Sequence, residues 1–242
     1  MNPTLEHLSA HRTIRKFTAE PVAEEDVRQA VAAAQMASTS SNIQAYSLLR
    51  IRDAQTRARL VTLTGGQPQV AQGAFFVVCG DTRRHRLAAR QHGEEYVCNL
   101  EAVLLMVTDA ALFAQNLALA FESLGLGICF IGGLRNQLPD VDRLLELPEG
   151  VLPLFGLCVG HPDDDPSPRP RLELDAVLIE ERYPEDATVL AKLAGYDERM
   201  RQYYAERGNP GHDWTSGIVR KFREPKREHL FEFFRAKGVT WG

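Results

Sequence analysis

The chain has 242 residues, 44% hydrophobic and 25% charged, with a formal net charge of −4 at pH 7. That is the balance of a globular protein with enough apolar residues for a sizeable core, and one domain is the simplest reading of its length. The slightly acidic charge gives no electrostatic case for a nucleic-acid partner or an anionic membrane surface.

The chain opens on a short helix-like run carrying Leu5 and Leu8, with Asn2, Glu6 and His7 where the apolar core of a signal peptide would begin, so no leader is expected. His11-Arg12-Thr13-Ile14-Arg15 follows, three basic side chains and a hydroxyl within five positions. These are too few to grip a nucleic-acid backbone. They suit one compact anion, most simply a phosphomonoester held by guanidinium and hydroxyl donors. The five residues alone leave a solvated basic turn equally open. Residues 23–37 read as a helix, with Glu24, Glu25 and Asp26 in its first turn and Val27, Ala30, Val31 and Ala34 on one face. It ends in the polar run Ser38-Thr-Ser-Ser-Asn42, which by itself reads as a helix-ending loop.

Ala45 to Arg52 reads as a strand and Gln55 to Leu63 as a helix stopped by Gly65-Gly66. Phe75 to Cys79 reads as a short buried strand. Residues 83–93 are rich in Arg and His without periodicity and read as a loop. From Tyr96 to Leu124 the pattern is helical and apolar on nearly every face, with Gly125 as its stop, which places it in a large core or a subunit interface. Asp109, Glu122 and Arg135 interrupt the apolar region from Ala102 to Leu134, so no uncharged stretch reaches the roughly 18–20 residues of a membrane span. A cytoplasmic protein is the expectation.

Ile128–Ile131 and Leu154–Val159 read as strands, followed by a proline-rich loop that ends in Arg169 and Arg171. Residues 187–207 and 225–237 read as amphipathic helices, the second through Leu230, Phe231, Phe233 and Phe234. Cys79, Cys98, Cys129 and Cys158 form no CxxC pair, and three of them lie in strand-like apolar runs, so buried thiols are expected rather than a metal site or redox dithiol. The absence of GxGxxG after a strand, of GxxxxGK[ST] and of GxSxG argues against a Rossmann dehydrogenase, a P-loop NTPase and an α/β-hydrolase.

A series of short motifs runs the length of the chain. They are HRxIRxF from His11 to Phe17, the Ser/Thr run ending in Gln44, Leu63-Thr-Gly-Gly-Gln67, Ala114-Gln-Asn116, Ile131-Gly-Gly-Leu-Arg-Asn136, Leu152-Pro-Leu-Phe-Gly-Leu-Cys158, Pro170-Arg-Leu172, and Tyr203-Tyr204 before Arg207-Gly208. In this order and spacing the chain resembles the nitroreductase family of flavin-mononucleotide enzymes, and in particular its NADPH-dependent, oxygen-insensitive nitroreductase and flavin reductase branch. The resemblance implies an α+β, three-layer fold with a mostly antiparallel mixed sheet flanked by helices, in an intertwined homodimer. It implies a single domain over residues 1–242, the part from about 160 to 242 wrapping the partner or covering the site. The cofactor implied is FMN, bound non-covalently, with NADPH as co-substrate.

On the family pattern, His11, Arg12, Thr13 and Arg15 hold the FMN phosphate and ribityl chain, and Arg169 and Arg171 return to the same anion. The family more often has Lys where Arg169 stands and Ser where Thr13 stands. Gln67 and Gln69 are implied near the ribityl chain and ring, and the backbone of Phe130, Ile131, Gly132 and Gly133 against the flavin. Thr39, Ser40 and Ser41 are implied to reach across from the partner subunit. Arg207 is implied at the 2′-phosphate of NADPH, although as a residue it also suits a helix C-terminus. Pro210, Gly211 and His212 stand where close relatives carry further arginines. The redox chemistry resides on the flavin, so no catalytic side chain is expected. The implied activity is ping-pong hydride transfer from NADPH to nitroaromatics, quinones or related electron-poor acceptors. The alternatives are an NADPH:flavin reductase and a flavin-binding or storage protein with little turnover.

Overall fold

Residues 74–81 and 151–160 are apolar on alternate positions of both phases, the pattern of strands covered on two faces. The computed structural model describes residues 2–241. In chain order its regular elements are α1 (Pro3–Ser9), α2 (Glu24–Ala34), β1 (Tyr46–Ile51), α3 (Ala54–Leu63), β2 (Ala74–Asp81), α4 (Arg83–Gln91), α5 (Leu100–Ser123), β3 (Gly127–Ile131), α6 (Leu138–Leu145), β4 (Val151–Gly160), α7 (Leu174–Val177), α8 (Asp186–Ala205), α9 (Trp214–Phe222) and α10 (His229–Ala236). They fall into two compact units, residues 1–166 with 229–242 and residues 167–228.

In the first unit the strands lie in the order β1-β2-β4-β3, and every pairing among them is antiparallel. The period-two alternation sorts their side chains. Phe76, Val78, Ile128, Leu157 and Val159 face α2 and α5, where they meet Ala30, Ala34, Phe113, Leu117 and Phe121. Phe75, Val77, Cys79, Cys129, Ile131 and Cys158 face the other way, under Leu60 of α3 and Val141 of α6. Each fully buried Leu, Ile or Phe in these two layers contributes about 1.5–3 kcal/mol. The α+β layering expected from the family resemblance is present. The register of β2 against β4 slips between Val78 and Cys79, leaving Leu154 outside the pairing. The Arg135 guanidinium donates to the Leu154 carbonyl there, so the bulge also ties the segment after β3 to the sheet.

Two expectations need correction, and a third is narrowed. Residues 83–93 contain the helix α4, not a loop. Its inward side is polar, which removed the apolar periodicity: His85 Nε2 donates to Ile43 O at 2.7 Å, and Arg86 bonds Glu149 at 2.8 Å and Gly238 O at 2.7 Å. The long helix starts at Leu100, where Asn99 caps it by accepting from the Ala102 amide at 3.1 Å. Nor is that helix covered on all sides within the chain. Val103, Met106, Ala110, Phe113, Leu117 and Phe121 are buried, whereas Leu100, Leu104 and Val107 form an exposed stripe at helical spacing and Leu112 is exposed further round the helix. By length and composition α5 could cross a bilayer, but its inner face is core and a buried carboxylate, Asp109, sits at its middle.

The chain returns to the first unit at its end. Phe233 and Val239 pack with Cys98, Met106, Leu138 and Leu152. The buried ammonium of Lys237 donates to Asp142 at 2.8 Å and to Leu147 O at 2.7 Å, which satisfies a charge that would otherwise be costly to bury. In the second unit, the buried carboxylate of Asp197 in α8 accepts the Trp214 and Thr215 amides, both at 2.9 Å, and so fixes the start of α9. All four cysteines are buried and unpaired, and burial pushes the Cys79 thiol up to about 12.

Candidate functional site

Thr64 to Gln69 turns sharply, with Gly65 at φ +86° and Gly66 at φ +78°, a region that glycine enters without steric penalty. The turn is tied by Gln67, whose side-chain amide donates to Thr64 O at 2.9 Å. Gln69 is buried and donates to the Gln67 side chain at 3.3 Å. Burial raises the Cys129 pKa, while Arg15 and Gln69 oppose the rise. Gly133 closes the array, for a Cβ there would lie 2.4 Å from Thr64 O and 2.3 Å from Gln67 Nε2. Gln67, Gln69 and Gly133 are thereby gathered at the end of β3, and Arg15 follows Ile14, whose amide is bonded to that strand at Ile128. At Gly132 a Cβ would meet nothing nearer than the Arg135 guanidinium at 3.5 Å, so the backbone there is open to close approach. Phe130 is 38% exposed between buried Cys129 and Ile131.

The basic cluster is anchored beside β3 by buried Ile14, whose amide donates to Ile128 O at 3.0 Å. Its members are not equally free. His11 Nδ1 lies 2.6 Å from a Glu122 carboxylate oxygen, and Arg12 pairs with Asp165 at 2.6 Å. Arg12 Nε is buried with no hydrogen-bond partner among the described residues. Thr13 is half-buried, and Arg15 is exposed with no ion-pair partner among the described residues. A cavity of about 200 Å³ opens beside His11, Arg12, Ile14 and Glu122. Asp165 is itself exposed, so its pair with Arg12 is worth about 0–1 kcal/mol. A charge-assisted bond to phosphate, at about 1.5–3 kcal/mol, would win that guanidinium.

Thr39, Ser40 and Ser41 lie elsewhere. Ser41, Asn42 and Gln44 have φ of 47°, 57° and 49°, each costing on the order of 1–2 kcal/mol for a residue with a Cβ. Asp109 of α5 holds the segment, accepting the Ser40 amide at 3.0 Å and the Ala45 amide at 3.1 Å, while His85 of α4 holds Ile43 O. The segment is thus fixed on the α5 side of the sheet. Gln67, Gln69 and Gly133 are on the opposite side, and no hydrogen bond joins the two groups among the described residues. The sequence reading passed over Asp109, His85 and Cys129. A solitary carboxylate at the centre of an apolar helix was the available signal for the first, and misreading α4 as a loop hid the second.

In the second unit α8 pins the backbone of the proline-rich loop. Tyr196 OH donates to Pro170 O at 2.9 Å and Arg199 to Arg171 O at 2.7 Å. The Arg169 and Arg171 side chains are left exposed, and both charges act on the Tyr196 phenol, whose pKa burial raises and they oppose. Arg207 donates to Ser167 O at 3.1 Å with its guanidinium 4.4 Å from the Tyr203 ring centre.

The comparisons agree along the whole chain. The model of the nitroreductase family matches residues 8–161, and that of the nitroreductase family C-terminal domain matches residues 169–241. The oxygen-insensitive NADPH nitroreductase of Salmonella typhimurium is 43% identical over 242 residues, covering 98% of each chain. The FMN reductase (NADPH) of Bacillus subtilis is 40% identical over 247 residues, covering 99% of each. Among solved structures, the NADPH:FMN oxidoreductase of Vibrio harveyi complexed with NAD+ superposes with a TM-score of 0.90 at 37% identity, covering 98% of this chain and 99% of that one. Motif order, sheet topology and similarity over the full length lead to one assignment: the chain belongs to the nitroreductase family.

Proposed function

We propose that the chain is an FMN-dependent oxidoreductase that takes hydride from NADPH and delivers it, by a ping-pong sequence, to nitroaromatics, quinones or related electron-poor acceptors. The observation that carries this reading is the array of Gln67, Gln69 and Gly133 at the end of β3, with open backbone at Gly132 beside it and Arg15 next to the strand-bound Ile14. These residues fit a flat cofactor with a phosphate tail. Among the described residues Arg15 has a charge without an ion-pair partner and Arg12 a buried Nε without an acceptor, and Gly132 leaves room where a side chain would stand. When bound non-covalently, FMN supplies the two-electron relay that no side chain here can provide.

The chain's own residues bind and orient. His11, Arg12, Thr13 and Arg15 hold the phosphate end, with Arg169 and Arg171 as further donors. Gln67 and Gln69 approach the ribityl chain and ring. The backbone of Phe130, Ile131, Gly132 and Gly133 would lie against the ring, where N–H groups would favour the charge that develops on reduction. Thr39, Ser40 and Ser41 serve the site of the other subunit in a homodimer. Their fixation on the α5 side of the sheet, away from Gln67 and Gly133, supports this, and the exposed Leu100, Leu104, Val107 and Leu112 of α5 offer apolar surface for association. Arg207 takes the 2′-phosphate of NADPH. Four unpaired cysteines suit a reducing compartment, in keeping with a cytoplasmic enzyme.

A second reading, free flavin as the acceptor, is favoured by the name of the Bacillus subtilis relative, FMN reductase (NADPH), and uses the same residues. NADPH oxidation by the purified yellow protein, with a nitroaromatic, with free FMN and with neither, separates the two. A protein purified colourless and unable to take up added FMN refutes both.

A further inference from the structure

We infer that Asp109 is a positioning residue, setting the conformation in which Ser40 and Ser41 are presented to the cofactor of the partner subunit. The inference rests on the reading above, in which this segment serves the other subunit's site. Asp109 is 1% exposed at the middle of α5, and the packing around it is filled by Met106, Ala110 and Phe113, none of which calls for a charge. A buried carboxylate is unfavourable unless donors meet it. The donors are two backbone amides five residues apart, Ser40 and Ala45. Between them lie the three left-handed residues Ser41, Asn42 and Gln44. Non-glycine residues persist in that region only where their surroundings over-determine them. Asp109 grips the segment at both ends through its N–H groups, and His85 grips the middle through Ile43 O. Without the carboxylate the two amides have no acceptor, and the segment is free to relax toward ordinary backbone, carrying the serine hydroxyls with it.

Asp109→Asn keeps the side-chain size but turns one acceptor into a donor that faces an N–H group. In the holoenzyme, the Ser40 and Ala45 amides should then lose hydrogen-exchange protection. FMN should be released on dilution about tenfold faster, read by recovery of its fluorescence. Val141→Ala, a core truncation on the far side of the sheet that lowers the melting temperature, should change neither readout. Ser40→Ala with Ser41→Ala should speed FMN release in the wild-type background and add little in the Asp109→Asn background, since coupled sites are not additive. If the serine pair has no effect in the wild type, the segment is not at the cofactor and the underlying reading fails. If the serine pair acts but Asp109→Asn releases FMN at the wild-type rate, or the two effects simply add, the role of Asp109 is overturned. Should Asp109→Asn not fold, the wild-type holoenzyme decides. Strong protection of the Ser40 and Ala45 amides upholds the clamp, and exchange at unprotected rates overturns it.

Discussion

Gly132 and Gly133 are adjacent, yet substitution by alanine should separate them sharply. At Gly133 a Cβ would sit 2.4 Å from the Thr64 carbonyl oxygen and 2.3 Å from Gln67 Nε2, against an ordinary contact of 3.4 Å or more. Gln67 can swing away, but the Thr64 carbonyl is backbone, so the glycine turn at 64–66 must move by roughly an ångström. Forced packing of this kind costs about 1–3 kcal/mol. For a chain of this size each kcal/mol lowers Tm by about 2–4 °C, so Gly133→Ala should melt about 2–12 °C below wild type. At Gly132 the nearest atom would be 3.5 Å away, and Gly132→Ala should stay within about 0.5 kcal/mol of wild type. Thermal melting followed by circular dichroism measures both. Measured alongside, FMN retention divides fold from site, because on the proposed reading a Cβ at Gly132 would face the ligand while meeting no protein atom nearer than 3.5 Å. Equal melting of the two variants, or Gly133→Ala at the wild-type Tm, would refute the steric argument.

Arg15→Ala should weaken FMN retention by about 10- to 150-fold, the equivalent of one charge-assisted bond of 1.5–3 kcal/mol. Arg12→Ala should weaken it less, because Arg12 must first leave Asp165; a larger effect at Arg12, measured by FMN release on dilution, would contradict the ordering. Leu104→Glu with Leu112→Glu places charges on the exposed apolar surface of α5, and light scattering should then fall from twice 27.0 kDa to 27.0 kDa. Arg207→Ala should raise the KM for NADPH roughly tenfold and leave that for NADH unchanged; equal effects on both nucleotides would make Arg207 a helix-end residue only. The native protein should react slowly with a disulfide reagent at pH 8, since burial holds Cys79 at about 12 and raises Cys129 and Cys158, whereas all four thiols should react once it is unfolded.

The sheet was readable from sequence because β2, β3 and β4 announce themselves by apolar runs, and three of the four cysteines fell where those runs predicted. α4 escaped because its inward face works through hydrogen bonds from His85 and Arg86, which leave no apolar period to detect. α5 was legible as an apolar helix but not in its facing: Leu104, Val107 and Leu112 are as apolar as Phe113 and Leu117, and a one-dimensional pattern does not say which of them meets the sheet. Among the proposed site residues, Arg15, Gln67 and Gly133 stood out by motif. The groups that hold the Ser40–Ala45 segment, Asp109 and His85, act through backbone contacts at sequence separations of 40 residues or more, where local patterning is blind.

The closing of the Cys98–Met106–Leu138–Leu152 cluster by Phe233 and Val239, locked by Lys237 on Asp142, has a consequence for a chain made from its N-terminus. Those four residues are synthesised long before their lid, and the whole of residues 167–228 must emerge in between. Until the ribosome has passed Val239 the first unit carries an open apolar seam, a target for chaperones and a hazard for self-association. Shortening the chain from the C-terminus should therefore harm the unit that was made first.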